Sequence, residues 1–158
     1  MGKKIESLKK EDIFALNGLF KIYLEDLSKF YNPAQMNKFE KFLLPAKKFI
    51  SKKYANKEIW ILKEKEEYKG FIMFDNKNNP DLLLQNIGIS DKERGLGRFL
   101  IENSFSLLKK RGSKKISLEV HKNNNRAKKL YEKLGFTLEG EYLEGSQKKG
   151  ILCFTKYL

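Results

Sequence analysis

The most constraining feature of the chain is a strand, a glycine-containing turn, a helix and a second strand in unbroken succession across its middle. Leu82–Ser90 is almost continuously apolar, as expected of a strand covered on both faces. From Gly97 the spacing changes. Leu100, Ile101, Phe105, Leu107 and Leu108 recur at helical intervals, Lys109, Lys110 and Arg111 fill the last turn, and Gly112 follows as a C-terminal cap. Ile116–His121 then reads as a strand. Two strands joined through a helix pair in parallel and connect by a right-handed crossover.

The rest of the chain adds to this unit. Ile5 and Leu8 predict a short edge strand. Ile13, Leu16, Phe20, Tyr23, Leu24, Leu27 and Phe30 form one apolar helical stripe, which Asn32-Pro33 is expected to end. A second helical stretch holds Met36, Phe39, Phe42 and Leu43, breaks at Pro45 and resumes to Tyr54. Glu58–Glu64 and Tyr68–Asp75 predict a hairpin, followed by a loop over Asn76–Asp81. Ala127, Leu130, Tyr131 and Leu134 mark another helix, stopped by Gly135. Strands near Phe136–Leu143 and Gly150–Tyr157 close the chain. The predicted order is β-α-α-β-β-β-α-β-α-β-β, an α/β (α+β) architecture. At 158 residues, with neither an internal repeat nor a Pro- or Gly/Ser-rich linker, one domain spanning 1–158 is expected.

Composition narrows the functional classes. Lys and Arg number 33 against 20 Asp and Glu, a net charge of +13 that would attract any polyphosphate. The lysines are scattered and aromatic residues do not interleave with them, so nucleic acid is not the expected partner. No apolar run has the length of a membrane span, the first residues lack a secretory pattern, and Glu6 stands where a myristoylation signal needs Ser or Thr. The single cysteine, Cys153, reads as a core filler, and no metal-ligand cluster is visible. A cytoplasmic protein is expected.

Lys92-Glu93-Arg94-Gly95-Leu96-Gly97 lies between the buried strand and the helix. Two glycines two apart allow a tight turn and close approach of a ligand. A helix start presents unpaired N–H groups and a positive dipole end, to which Arg94 and Arg98 add charge. This combination suits a pyrophosphate, although the same glycines also serve a plain strand-to-helix turn. Neither a P-loop nor a Rossmann fingerprint is present, since Leu100 stands where the latter needs glycine.

These residues resemble the fingerprint of the GNAT superfamily of N-acetyltransferases, Arg/Gln-x-x-Gly-x-Gly/Ala, with Lys92 in place of Arg/Gln. A second register, Arg94 to Phe99, restores the usual spacing from the strand but puts Phe99 at a small-residue position; the first keeps the following helix and strand in family register. Leu118-Glu119-Val120 and Asn124-x-x-Ala127-x-x-Leu130-Tyr131-x-x-x-Gly135-Phe136 resemble the second signature of the superfamily at every position. The resemblance covers Asn86–Phe136. It implies the GNAT fold, a mixed six- to seven-stranded sheet with about four helices and splayed central parallel strands. It also implies acetyl-coenzyme A as cosubstrate and a primary amine of a small molecule, protein or peptide as acceptor by direct attack.

The resemblance also assigns roles. Ile87, Gly88 and Ile89 lie on the strand that holds the pantetheine arm through its backbone, and Gly88 suggests close approach of a ligand or a bulge. Lys92, Arg94, Gly95, Leu96, Gly97 and Arg98 form the phosphate turn, with either Lys92 or Arg94 facing the phosphates. Asn124 caps a helix and contacts the pantetheine. Tyr131 is the expected acid at the leaving sulfur, while its ring also fits the apolar stripe. Glu119 is the candidate base, by likeness to ribosomal-protein-alanine N-acetyltransferases; an exposed glutamate beside a water chain is the alternative. His121 is expected to line the site rather than act as base. Phe30, Tyr31, Phe39, Tyr54 and Tyr142 are candidate lining residues for the acceptor. A catalytically weak acyl-coenzyme A-binding module of the same fold is the competing reading, and a homodimer is an option the sequence leaves open.

Overall fold

The computed structural model describes residues 2–37, 57–142 and 148–158. Seven strands form one sheet in the order β1-β2-β3-β4-β5-β7-β6. They are β1 (Lys3–Ser7), β2 (Lys57–Glu64), β3 (Glu67–Asp75), β4 (Asp81–Ile89), β5 (Lys115–His121), β6 (Thr137–Glu141) and β7 (Ile151–Tyr157). Only β4 and β5 pair in parallel; every other neighbouring pair is antiparallel. The α-helices among the described residues are α1 (Ile13–Leu27), α2 (33–37), α3 (Leu96–Lys110) and α4 (Asn125–Lys133). The expected α+β architecture and element order are therefore present.

The apolar runs of β2 and β3 are continuous because each strand serves two cores. Trp60, Leu62, Ile72 and Phe74 face α3, packing with Leu100, Ile101, Phe105 and Leu108. The alternate residues Ile59, Ile61, Phe71 and Met73 face α1, packing with Leu16, Leu19, Phe20 and Leu24. A period of two puts successive side chains on opposite faces, so a strand sandwiched between helices must be apolar at both. Asp12 fixes the start of α1. Its buried carboxylate accepts hydrogen bonds from the Tyr68 hydroxyl at 2.7 Å and the Lys9 amide at 2.9 Å, and pairs with the Lys63 ammonium at 3.1 Å. Burial opposes its charge, but these partners outweigh it and hold the carboxyl below its usual range.

One sequence expectation is corrected. Asn32-Pro33 starts a helix rather than ending one. α1 stops at Leu27; the Gln35 amide then donates to the Asn32 side chain and the Asn32 amide to the Gln35 side chain, both at 2.9 Å. Such a reciprocal cap, with proline in the first turn, is a helix-start signal. The remainder of the predicted second helix, including Phe39, Phe42, Leu43, Pro45 and Tyr54, lies outside the described residues.

Gly88 has a packing role as well. A Cβ there would lie 2.4 Å from Cε1 of Phe71, a fully buried ring held edge-on by Phe20 and Tyr23. Phe71 fills the side of the sheet that a side chain at position 88 would occupy, which sets the size of Gly88, and Gly88 also lines the cleft described below. Gly88→Ala is expected to destabilise the fold by about 1–3 kcal/mol through overpacking. Chemical denaturation measures this; an unchanged midpoint would show that Phe71 can move aside.

Candidate active site

The site originates in a misfit between two strands. β4 and β5 are paired only from Asp81–Leu84 to Lys115–Leu118, although both continue. On its other edge β4 carries one extra residue, because its register against β3 jumps from Met73–Asn86 to Phe74–Leu84. Gln85 is the bulge. A bulge bends its strand and increases the local twist, which carries Asn86–Ile89 away from β5. The gap is a cleft of about 850 Å³, walled by Gln85–Ile89 of β4, Glu119–His121 of β5, one face of α4 from Arg126 to Tyr131 and the C-terminal end of α1. The splay that the sequence implied is thus observed. The Oε1 atom of Gln85 is buried and has no hydrogen-bond partner among the described residues.

One end of the cleft is built for negative charge. A 3-10 turn, Lys92–Arg94, follows β4, and Gly95 caps α3 with φ 69°, a conformation that disfavours other side chains. No side chain caps this helix. Its first internal bond runs from the Phe99 amide to the Gly95 carbonyl at 3.1 Å. The amides of Leu96, Gly97 and Arg98 therefore lack helical acceptors. Lys92, Gly95, Gly97, Arg98 and Arg126 line this end. Lys92 pairs with Asp26 of α1, and Arg98 with Glu102.

Not every expected residue joins them. Arg94 is turned to β2, where its guanidinium holds the Glu64 carboxylate by two hydrogen bonds of 2.6 and 3.0 Å. Between Lys92 and Arg94, only Lys92 lines the cleft. The Leu96 side chain is fully buried in the α3 core, so only its main chain is available to a ligand. Arg126 is the residue that sequence reasoning passed over. Its guanidinium donates to the Lys92 carbonyl and ties α4 to the turn before α3. A basic residue in the first turn of a helix opposes the helix dipole, which was the available signal.

The opposite end brings the candidate acid and base to one cleft. The Asn124 side chain caps α4 by accepting from the Ala127 amide at 3.2 Å. Tyr131, about two turns on, is 6% exposed and packs edge-on against Phe136. Burial, and secondarily the neighbouring Tyr23, pushes its hydroxyl far above the usual tyrosine value, so it stays a protonated donor. The packing and chemical readings of Tyr131 therefore coexist. Tyr23 enters from α1; burial pushes it up to about 12, and its oxygen accepts from Asn86 Nδ2 at 2.8 Å.

Glu119 lines the cleft from β5. Its Oε1 accepts from the Tyr142 hydroxyl at 2.6 Å and from Lys148 Nζ at 2.9 Å. Two donors on one oxygen fix the carboxylate, and Lys148 is a partner that no motif announced. His121 also lines the cleft, stacked on Phe30 at 5.8 Å and met edge-on by Tyr31 at 5.2 Å. Its Nδ1 accepts from the Asn123 amide, and burial, helped by Lys122, lowers its pKa. A neutral, ring-packed histidine fits a lining role. Cys153 is half-buried on β7, opposite Glu119 in register. No group of three or more His, Cys, Asp or Glu suited to a metal occurs among the described residues. No helix among them is long and apolar enough to cross a membrane.

Comparison with known proteins agrees with this geometry. The family model described as "Acetyltransferase (GNAT) family" matches residues 16–136. The 5-NmdU N-acetyltransferase of Pseudomonas phage PaMx11 is 30% identical over 128 residues, covering 78% of this chain and 87% of the phage protein. Among solved structures, the PaiA N-acetyltransferase of Thermoplasma acidophilum in complex with coenzyme A superposes with a TM-score of 0.82 at 17% identity, covering all of both chains. The ribosomal-protein-S18-alanine N-acetyltransferase of Escherichia coli does so with a TM-score of 0.69 at 22% identity, covering 99% of this chain and 94% of the other. The match runs from α1 through the splayed strands, the phosphate turn and the Asn124–Tyr131 helix, and the chain belongs to the GNAT family of acetyl-coenzyme A-dependent N-acetyltransferases.

Proposed function

We propose that this cleft transfers the acetyl group of acetyl-coenzyme A to a primary amine by direct attack, with Tyr131 as acid and Glu119 as base. The observation that carries the reading is the convergence of a protonated, buried Tyr131 and a fixed Glu119 carboxylate on one cleft whose far end is cationic.

The residues present fit the coenzyme. Lys92, Arg98, Arg126 and the free amides of Leu96, Gly97 and Arg98 would hold its phosphates, with Gly95 keeping the turn open. Ile87–Ile89 and Asn124, which line the cleft, would flank the pantetheine arm. The orphan Oε1 of Gln85 is an acceptor for an amide N–H, the kind of group that arm carries. When bound, the coenzyme supplies an activated acyl carbon and a thiolate leaving group.

The chain's own residues manage the protons. An alkylamine is protonated at neutral pH and must lose a proton before it attacks. Glu119, held through Oε1, accepts that proton. Tyr131 donates its hydroxyl proton to the departing sulfur, and its high pKa makes the return of the proton from solvent favourable. The rings of Phe30, Tyr31 and His121 beside Glu119 suit an ammonium on an apolar stem. An amine panel that includes 5-NmdU, named for the phage relative, tests the acceptor class by thiol release.

Tyr131→Phe should lower kcat by about 100-fold with little change in coenzyme affinity, the usual contribution of a positioned acid. Glu119→Gln should lower kcat by a similar factor while leaving coenzyme affinity nearly unchanged. Steady-state kinetics across pH checks both, and unchanged turnover in either variant removes that residue from its role.

At the phosphate end, Lys92→Ala should weaken coenzyme A binding by about tenfold, the worth of one charge-assisted hydrogen bond. Arg94→Ala should leave it within about twofold, since an exposed ion pair contributes little. Isothermal titration distinguishes them; the reverse order would place Arg94 on the phosphates.

A further inference from the structure

Among the described residues, three lysines line the cleft: Lys29, Lys92 and Lys148. Lys29 and Lys92 both pair with Asp26 on α1. Lys148 is placed differently. Its Nζ donates to Glu119 Oε1 at 2.9 Å and to the Tyr142 hydroxyl at 3.3 Å, and it lies 4.9 Å from the centre of the Tyr142 ring. A primary amine on an aliphatic stem, over an aromatic face and bonded to the base, has every feature expected of the acceptor itself. We infer that Lys148 occupies the acceptor position and is an acetylation site for the protein's own catalytic centre, modified within the same molecule. This rests on the reading of Glu119 and Tyr131 given above.

The step balances with groups already in the cleft. The Lys148 ammonium gives one proton to Glu119, and its nitrogen lone pair attacks the thioester carbon. The new C–N bond forms, the C–S bond breaks, and the departing thiolate takes the Tyr131 proton. The second N–H proton, lost as the amide forms, restores the Tyr131 phenol, and Glu119 releases its proton to water. The products are N-acetyl-Lys148, free coenzyme A and one proton. Hydrogen bonding to Glu119 holds the Lys148 pKa above its ordinary value, so the modification is slower than transfer to an amine that arrives neutral. Its consequence is chemical: the amide is uncharged, and Glu119 loses the cation that neutralises it.

Lys148 has a side chain 53% exposed, so Lys148→Arg keeps the charge without threatening the fold. The wild-type chain, incubated with acetyl-coenzyme A and no added amine, should gain one acetyl group by intact mass, and peptide mapping should place it on Lys148. The rate constant should not vary with protein concentration. It should fall about 100-fold in Tyr131→Phe, and Lys148→Arg should remove the modification. Acetylation spread over many lysines at a rate Tyr131→Phe does not alter would be chemical and would overturn the inference. An unmodified Lys148 in a preparation that turns over external amines overturns it too, but leaves the roles of Glu119 and Tyr131 standing. If neither Lys148 nor any external amine is acetylated, both readings fall.

Discussion

The parallel pairing of β4 with β5 ends after Leu84 and Leu118, and the rest of the site depends on that ending. Had the pairing continued, the strands would have satisfied each other's backbone groups and left no room between them. The extra residue at Gln85 turns one strand aside while β3 still holds it on its other edge. The sheet stays continuous on both sides of the gap, because β2 and β3 are fixed by two cores and β5 by β7. A rigid scaffold with one local misfit yields a cleft whose walls are strands rather than loops. Groups mounted on such walls keep their positions well.

The cleft is polarised along its length by ordinary means. At one end, a helix start without a side-chain cap leaves three amides without helical acceptors, and lysine and arginine side chains from separate elements gather around it. At the other, burial keeps Tyr131 protonated, while a tyrosine and a lysine hold Glu119 through a single oxygen. Burial acts on Tyr131 in two ways at once: it packs the ring against Phe136 and makes the hydroxyl a reluctant acid. A reluctant acid is useful against a thiolate, since the proton moves only as charge develops on sulfur.

Much of this was legible in the sequence, for identifiable reasons. Strand–turn–helix–strand order in the middle of the chain is written in local periodicity, and the two cores in the apolar runs of β2 and β3. Gly95, Asn124 and Tyr131 could be placed because each sits at a fixed offset from a helix start. Residues whose roles depend on long-range contacts were not legible. Whether Arg94 faces the cleft depends on Glu64, thirty positions away in the chain, and the partnership of Lys148 with Glu119 spans a similar distance. Asn32-Pro33 was misread because the same dipeptide ends one helix and begins another; Gln35, three residues on, decides between them. At Gly88 the sequence could not show that a buried ring fills the space beside the glycine.

The most direct test of the account is a crystal structure with acetyl-coenzyme A bound. The account predicts the pyrophosphate on the amides of Leu96, Gly97 and Arg98, the pantetheine along Ile87–Ile89, and the thioester within hydrogen-bonding reach of the Tyr131 hydroxyl. A coenzyme bound outside the gap between β4 and β5, or one whose sulfur lies far from Tyr131, would contradict it.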